Sequence, residues 1–135
     1  MLIDWTGEFD VWYDRLIALA ERGDARARGT VAVVDAQLGV LQGLAGEPRA
    51  DGATLRRVAQ ARKHQVWRLS HPYDPERAIR LIVWFPPEQP DHAVIVLFGA
   101  DKARMGDVFY NSVGTRADAA IETYLRRTRN EGDTR

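Results

Sequence analysis

Two short, almost wholly apolar runs, Ile79–Phe85 (IRLIVWF) and Ala93–Phe98 (AVIVLF), are separated only by PPEQPDH. This arrangement constrains the fold more than any other feature of the chain. Runs of this length, rich in β-branched and aromatic residues and bounded by proline and charge, read as strands. Proline has no amide hydrogen to give a β-ladder, so the spacer belongs in a turn. A connection this short permits only antiparallel pairing, and a β-hairpin follows. The run Val66–Leu69 supplies a further strand, and strand-like patterning extends from Leu55 onward.

The chain before Leu55 has a different period. After a short strand expected at Leu2–Asp4, Thr6 can cap a helix in which Phe9, Trp12, Tyr13, Leu16, Ile17 and Ala20 recur at helical spacing. That helix should end near Gly23. Asp24 can cap a second helix, with Val31, Val34, Leu38, Leu41 and Leu44 on one stripe and Gly46 and Pro48 closing it. The link between the two is too short for anything but antiparallel neighbours. Near the C-terminus, Thr115 and Asp118 resemble a capping box ahead of the apolar face Ala117, Ala120, Ile121, Tyr124 and Leu125. The expected fold is therefore α+β: a small antiparallel β-sheet with the helices, an N-terminal hairpin and a C-terminal helix, packed on one side of it. Residues 1–135 read as a single domain, with 130–135 expected as a disordered tail.

Composition narrows the chemistry. With 45% hydrophobic and 28% charged residues, the chain has the means to build a core. No stretch approaches the roughly 18 apolar residues of a membrane span, and the opening MLIDWTGEFD lacks the basic and apolar regions of a leader, so a cytoplasmic location is expected. There is no cysteine, and the three histidines are scattered, so neither a metal site nor a cofactor is expected.

Net charge is zero, yet the charges are unevenly distributed. Residues 1–24 carry six acids against two bases, whereas residues 47–80 carry four acids against eight bases. Within that basic stretch Arg56, Arg57, Arg62 and Lys63 are candidates for RNA binding, as a surface that gathers phosphates requires. A solvated sheet edge or loop is the alternative.

The stretch from Ile79 to Tyr110, IRLIVWFPPEQPDHAVIVLFGADKARMGDVFY, resembles the RelE/ParE superfamily of toxins, and within it the HigB-like, phage-derived branch. Shared elements are Arg80 on its strand, Gly99-Ala100-Asp101-Lys102 closing the next one, and the pair Phe109-Tyr110 before the last helix. LIDWTGEFDVWYDRL and ARKHQVWRLSH have counterparts too, so the likeness covers most of the chain. Where that family often carries a Glu-Leu-Arg-like element, this chain reads Val66-Trp67-Arg68-Leu69-Ser70-His71. One register aligns Arg68 with the basic residue, and another aligns Ser70.

The resemblance implies a toxin of a type II toxin-antitoxin system, a metal-independent endoribonuclease (mRNA interferase) acting on mRNA at the ribosome. Its implied partner is a cognate helix-turn-helix antitoxin. The implied catalytic set is Arg68, His71, Arg80, Lys102 and Tyr110. Arginine suits the phosphate because its guanidinium is a permanently charged, bidentate fork. His71 could exchange protons near neutral pH, or it could be a turn residue beside Pro72. Lys102 could bind phosphate or pair with Asp101, and Tyr110 could donate a proton, stack on a base or pack beneath the helix. Trp67 and Trp84 are expected to pack rather than to serve as base platforms. Two other readings fit the same fold: a ParE-like, non-catalytic inhibitor of DNA gyrase, and an enzymatically silent phage or mobile-element interaction protein.

Overall fold

The computed structural model describes residues 1–59, 61–71, 74, 76–101 and 107–133, with backbone only for 107–111, 132 and 133. The elements run β1 (Leu2–Trp5), α1 (Gly7–Glu21), α2 (Ala25–Gln42), β2 (Leu55–Arg57), β3 (Val66–Leu69), β4 (Ile79–Trp84), β5 (Ala93–Asp101) and a long C-terminal helix, α3 (Asp107–Asp133). The fold class is the expected α+β, with the helical hairpin, the sheet and the final helix in the expected order.

The hairpin forms where local chemistry permits. Thr6 is extended (φ −82°, ψ 163°), and its Oγ accepts the Phe9 amide at 3.1 Å while donating to the carbonyl of Leu97. One buried hydroxyl thus caps α1 and ties it to β5. Asp24 caps α2 through the Ala27 amide at 2.8 Å. Between the helices Gly23 adopts φ 94°, a conformation that costs side-chain-bearing residues energy, and this lets the chain reverse. Tyr13 donates to Asp35 across the hairpin, and burial followed by that carboxylate pushes its phenol up to about 12.

The sheet has the order β1-β5-β4-β3-β2. The expected hairpin of β4 and β5 is antiparallel, with Leu81 opposite Gly99 and Ile82 opposite Phe98. A bulge between Ile82 and Val83 leaves Leu97 as the extra residue of β5. The sheet is mixed, because β1 lies parallel to β5, with Leu2 opposite Ala93.

Helices cover both faces of the sheet, not one. Phe9, Val34 and Leu41 of the hairpin pack on Trp67, Leu69, Ile79, Leu81, Val83, Phe85, Val94 and Val96. On the other face Val113, Ala117 and Ile121 of α3 pack on Val66, Ile82, Trp84, Ile95, Leu97 and Phe98. Both parities of β4 and β5 are apolar, so one helical layer would leave half of each strand in water. Trp67 and Trp84 lie in opposite cores, as expected of packing residues.

Three further expectations are corrected. The buried stripe of α2 is Ala27, Thr30, Val34, Gln37 and Leu41, and the helix stops at Gln42. Thr115 and Asp118 sit inside α3, which starts before them at Asp107, so they do not cap it. That helix also runs through Asn130 to Asp133, into the segment expected as a tail. No helix among the described residues is long and apolar enough to cross a membrane.

Candidate functional site

Three arginines reach one face of the sheet from three adjacent strands. Arg56 of β2 is opposite Arg68 of β3, Arg68 is opposite Ile82 of β4, and Arg80 is opposite Ala100 of β5. Directly opposed residues share a face, and every second residue along a strand shares it too. Arg56, Arg68 and Arg80 therefore lie on the α3 side. Arg68 and Arg80 are diagonal neighbours, about 7–8 Å apart by sheet geometry. The Ser70 amide donates to the Thr54 carbonyl at 3.3 Å, which carries the β2–β3 ladder one step further.

The local scaffold at Arg80 includes a residue that the sequence reading passed over. Arg80 donates through Nη1 to the Ile79 carbonyl at 3.1 Å. The same carbonyl accepts Gln37 Nε2 at 3.1 Å. Gln37 is fully buried, and its Oε1 has no hydrogen-bond partner among the described residues. It reaches β4 beyond the end of β3, where a ladder partner has run out. The available signal was a polar side chain seven residues after Thr30 and three after Val34, on what proves to be the inward stripe of α2.

The four candidate RNA-binding residues divide into separate groups. Arg57 stands opposite Trp67, on the other parity from Arg56. Its guanidinium lies 5.4 Å from the Trp67 ring and donates to the Arg49 carbonyl at 2.8 Å, so it clasps the sheet edge. Trp67 in turn donates to Glu47 at 3.0 Å. Arg62 and Lys63 are exposed on the connection between β2 and β3, which closes where the Val58 amide meets the Val66 carbonyl at 2.9 Å. Asp118 of α3 holds this loop by accepting the amides of Arg62, Lys63 and His64 at 3.2, 3.3 and 3.2 Å. His64 Nε2 lies 3.4 Å from Glu122, and its ring meets the edge of Trp84. A cavity of about 740 Å³ opens between this loop and α3, bordered by Arg62, Lys63, Thr115, Asp118 and Glu122.

Of the remaining candidates, His71 is exposed two residues past the end of β3, where strand alternation no longer dictates its direction. Lys102 lies outside the described residues. Tyr110, with Phe109, is placed in the first turns of α3, but its side chain lies outside them as well. Just before Lys102, Asp101 accepts Arg26 at 2.7 Å and the Ala78 amide at 3.1 Å, fastening α2 to the end of β5. Nearby, the Glu76 amide and then the Arg77 guanidinium hold the Asp74 carboxyl below its ordinary range.

A face with two half-buried arginines and one exposed arginine can bind and stabilise a phosphate that gains charge, since guanidinium donors keep their charge and act more strongly where water is scarce. Comparison of the chain with known protein families, with curated proteins and with solved structures finds no match in any of the three.

Proposed function

We propose that the chain is a metal-independent endoribonuclease that cleaves mRNA on the ribosome, the toxin of a type II toxin-antitoxin pair of the RelE/ParE kind. The observation that carries this reading is the common face of Arg56, Arg68 and Arg80 across three adjacent strands. The order of helical hairpin, sheet and C-terminal helix, which the resemblance implies, supports it further.

The chemistry needs no protein nucleophile. The ribose 2′-oxygen attacks the adjacent phosphorus while the 2′-hydroxyl gives its proton to a base. The bond to the 5′-oxygen breaks, and that oxygen is protonated, leaving a cyclic phosphate and a free 5′-hydroxyl. Arg68 and Arg80 would stabilise the charge on phosphorus, and Arg56 would hold a flanking phosphate. His71 and Tyr110 are the candidates for moving the two protons, and Lys102 is a candidate for binding phosphate. A small helix-turn-helix protein is the expected antitoxin, and the cytoplasm is the expected place of action.

The test is expression in bacteria, followed by assay of the purified protein on translating ribosomes. Growth should stop with cleavage of translated mRNA, and Arg80→Ala should restore growth. Loss of one such donor commonly costs on the order of 3 kcal/mol of transition-state stabilisation, roughly a hundredfold in rate. A partly exposed arginine should cost far less in stability, so the mutant should melt near the parent. Full toxicity of a folded Arg80→Ala protein would refute the assignment. The zero net charge suits an enzymatically silent interaction protein, and the same fold also admits a non-catalytic gyrase inhibitor of the ParE kind. Arrest with intact mRNA and blocked DNA supercoiling would select it.

A further inference from the structure

The loop between β2 and β3 presents three consecutive amides, those of Arg62, Lys63 and His64, to a single carboxylate. Successive amides aimed at one point form a concave anion site in many proteins. Here the anion is Asp118, which accepts the three amides at 3.2, 3.3 and 3.2 Å, at the long end of the range for N–H···O bonds. The side chains of Arg62 and Lys63 are exposed, with no ion-pair partner among the described residues. Asp118 and Glu122, one helical turn apart on α3, face this loop across the cavity of about 740 Å³. The loop leaves β2 directly after Arg56 and Arg57 and enters β3 two residues before Arg68, so it continues from the arginine face.

We propose that the amides of Arg62, Lys63 and His64, with the Arg62 and Lys63 side chains, form a binding site for the phosphodiester backbone of single-stranded RNA, and that Asp118 occupies it as an internal competitor until RNA arrives. This rests on the RNA reading above and adds a self-blocking element to it. A loop anchor alone would need an acceptor at position 118 but not a charge. The competitor reading needs the charge, because a phosphate brought beside Asp118 is repelled.

Asp118→Asn removes the charge and keeps one of the two acceptor oxygens that the loop amides use, so part of the anchor survives while the repulsion is gone. Binding of a fluorescent oligouridylate by the full-length protein is the measurement, with inorganic phosphate as a second probe. Removing one like charge about 4 Å away is worth roughly fivefold in affinity in water, so Asp118→Asn should bind the oligonucleotide about fivefold tighter at low salt. The gain should shrink as salt rises. Glu122→Gln makes the same charge change without touching the amides and should tighten binding by a smaller factor, which covers the case in which Asp118→Asn fails to fold. Equal or weaker binding by folded Asp118→Asn, while Arg62→Glu still weakens it, would overturn the competitor role and leave the RNA reading standing. Tighter binding of inorganic phosphate alone, with RNA affinity unchanged, would overturn the assignment to RNA. Failure of every variant and of the parent to bind the oligonucleotide would remove both this inference and the RNA reading beneath it.

Discussion

Gly99 lies in the middle of β5, opposite Leu81 and beneath Trp12 of α1. A Cβ added there would stand 2.6 Å from Trp12 Cζ3, 2.8 Å from Trp12 Cη2 and 2.8 Å from Leu81 Cδ2. Carbon contacts prefer roughly 3.5–4.0 Å, so each falls short by about 1 Å. Leu81 Cδ2 ends a flexible side chain and can rotate away. The Trp12 ring is less free, since it packs against Phe9 with centroids 5.8 Å apart and any tilt must move α1. Overpacking of this kind costs about 1–3 kcal/mol. Loss of glycine's unfolded-state freedom returns about 0.4–1 kcal/mol, so Gly99→Ala should destabilise the protein by about 1–2 kcal/mol. With a urea slope of about 2 kcal/mol/M, the unfolding midpoint should fall by about 0.5–1 M. Trp12→Leu removes both ring atoms from the clash. In that background the alanine should be neutral or stabilising, a coupling of about 1–2 kcal/mol in a double-mutant cycle. An unchanged cost in the Trp12→Leu background, or no cost in the parent, would refute the idea that close approach of Trp12 to a bare backbone seats α1 on the sheet.

Gly29 should behave differently although its nearest contacts look worse, with the Arg77 guanidinium 2.5–2.6 Å from an added Cβ. The obstacle is the end of a long side chain, and Gly→Ala within a helix is itself favourable by about 1 kcal/mol. Gly29→Ala should therefore shift stability by less than about 0.5 kcal/mol while freeing Arg77 from Asp74, visible as lost amide-exchange protection around Glu76. The raised phenols of Tyr13 and Tyr124, both near 12, act on stability only at alkaline pH. A folded value above the unfolded 10.0 gives stability that is complete below 10.0 and lost as pH climbs toward 12. Tyr124 donates to Asp4 at 2.7 Å, and a urea-midpoint series across that window should flatten in Tyr124→Phe. Asp74 acts at the opposite end. Its folded value is lowered, chiefly by the Glu76 amide, so its contribution stands above the ordinary carboxylate value and is lost as pH falls through the folded one. Asp74→Asn should show a shallower fall in melting temperature on the acid side, and an identical acid limb would count against that role.

Much of the architecture was legible before any coordinates. Thr6 and Asp24 were readable as caps because a cap depends on the next three residues. The β4–β5 hairpin was readable because its turn chemistry lies between the strands it joins. Arg68 and Arg80 could be nominated by residue type, but a shared face depends on register, and register is set by partners across the sheet. The same dependence on distant partners hid the parallel edge at β1 and the second helical layer, since an apolar strand reads alike whether one face or both are covered. It also hid Gln37, which turns inward only because β3 ends and leaves the Ile79 carbonyl in need of a donor. Asp118 looked like a cap for its own helix, whereas the amides it holds belong to a loop more than fifty positions earlier. Local period, capping and turn chemistry are decided by neighbours along the chain. Which face an element buries, and which side chains meet there, is decided by contacts that exist only once the sheet has closed.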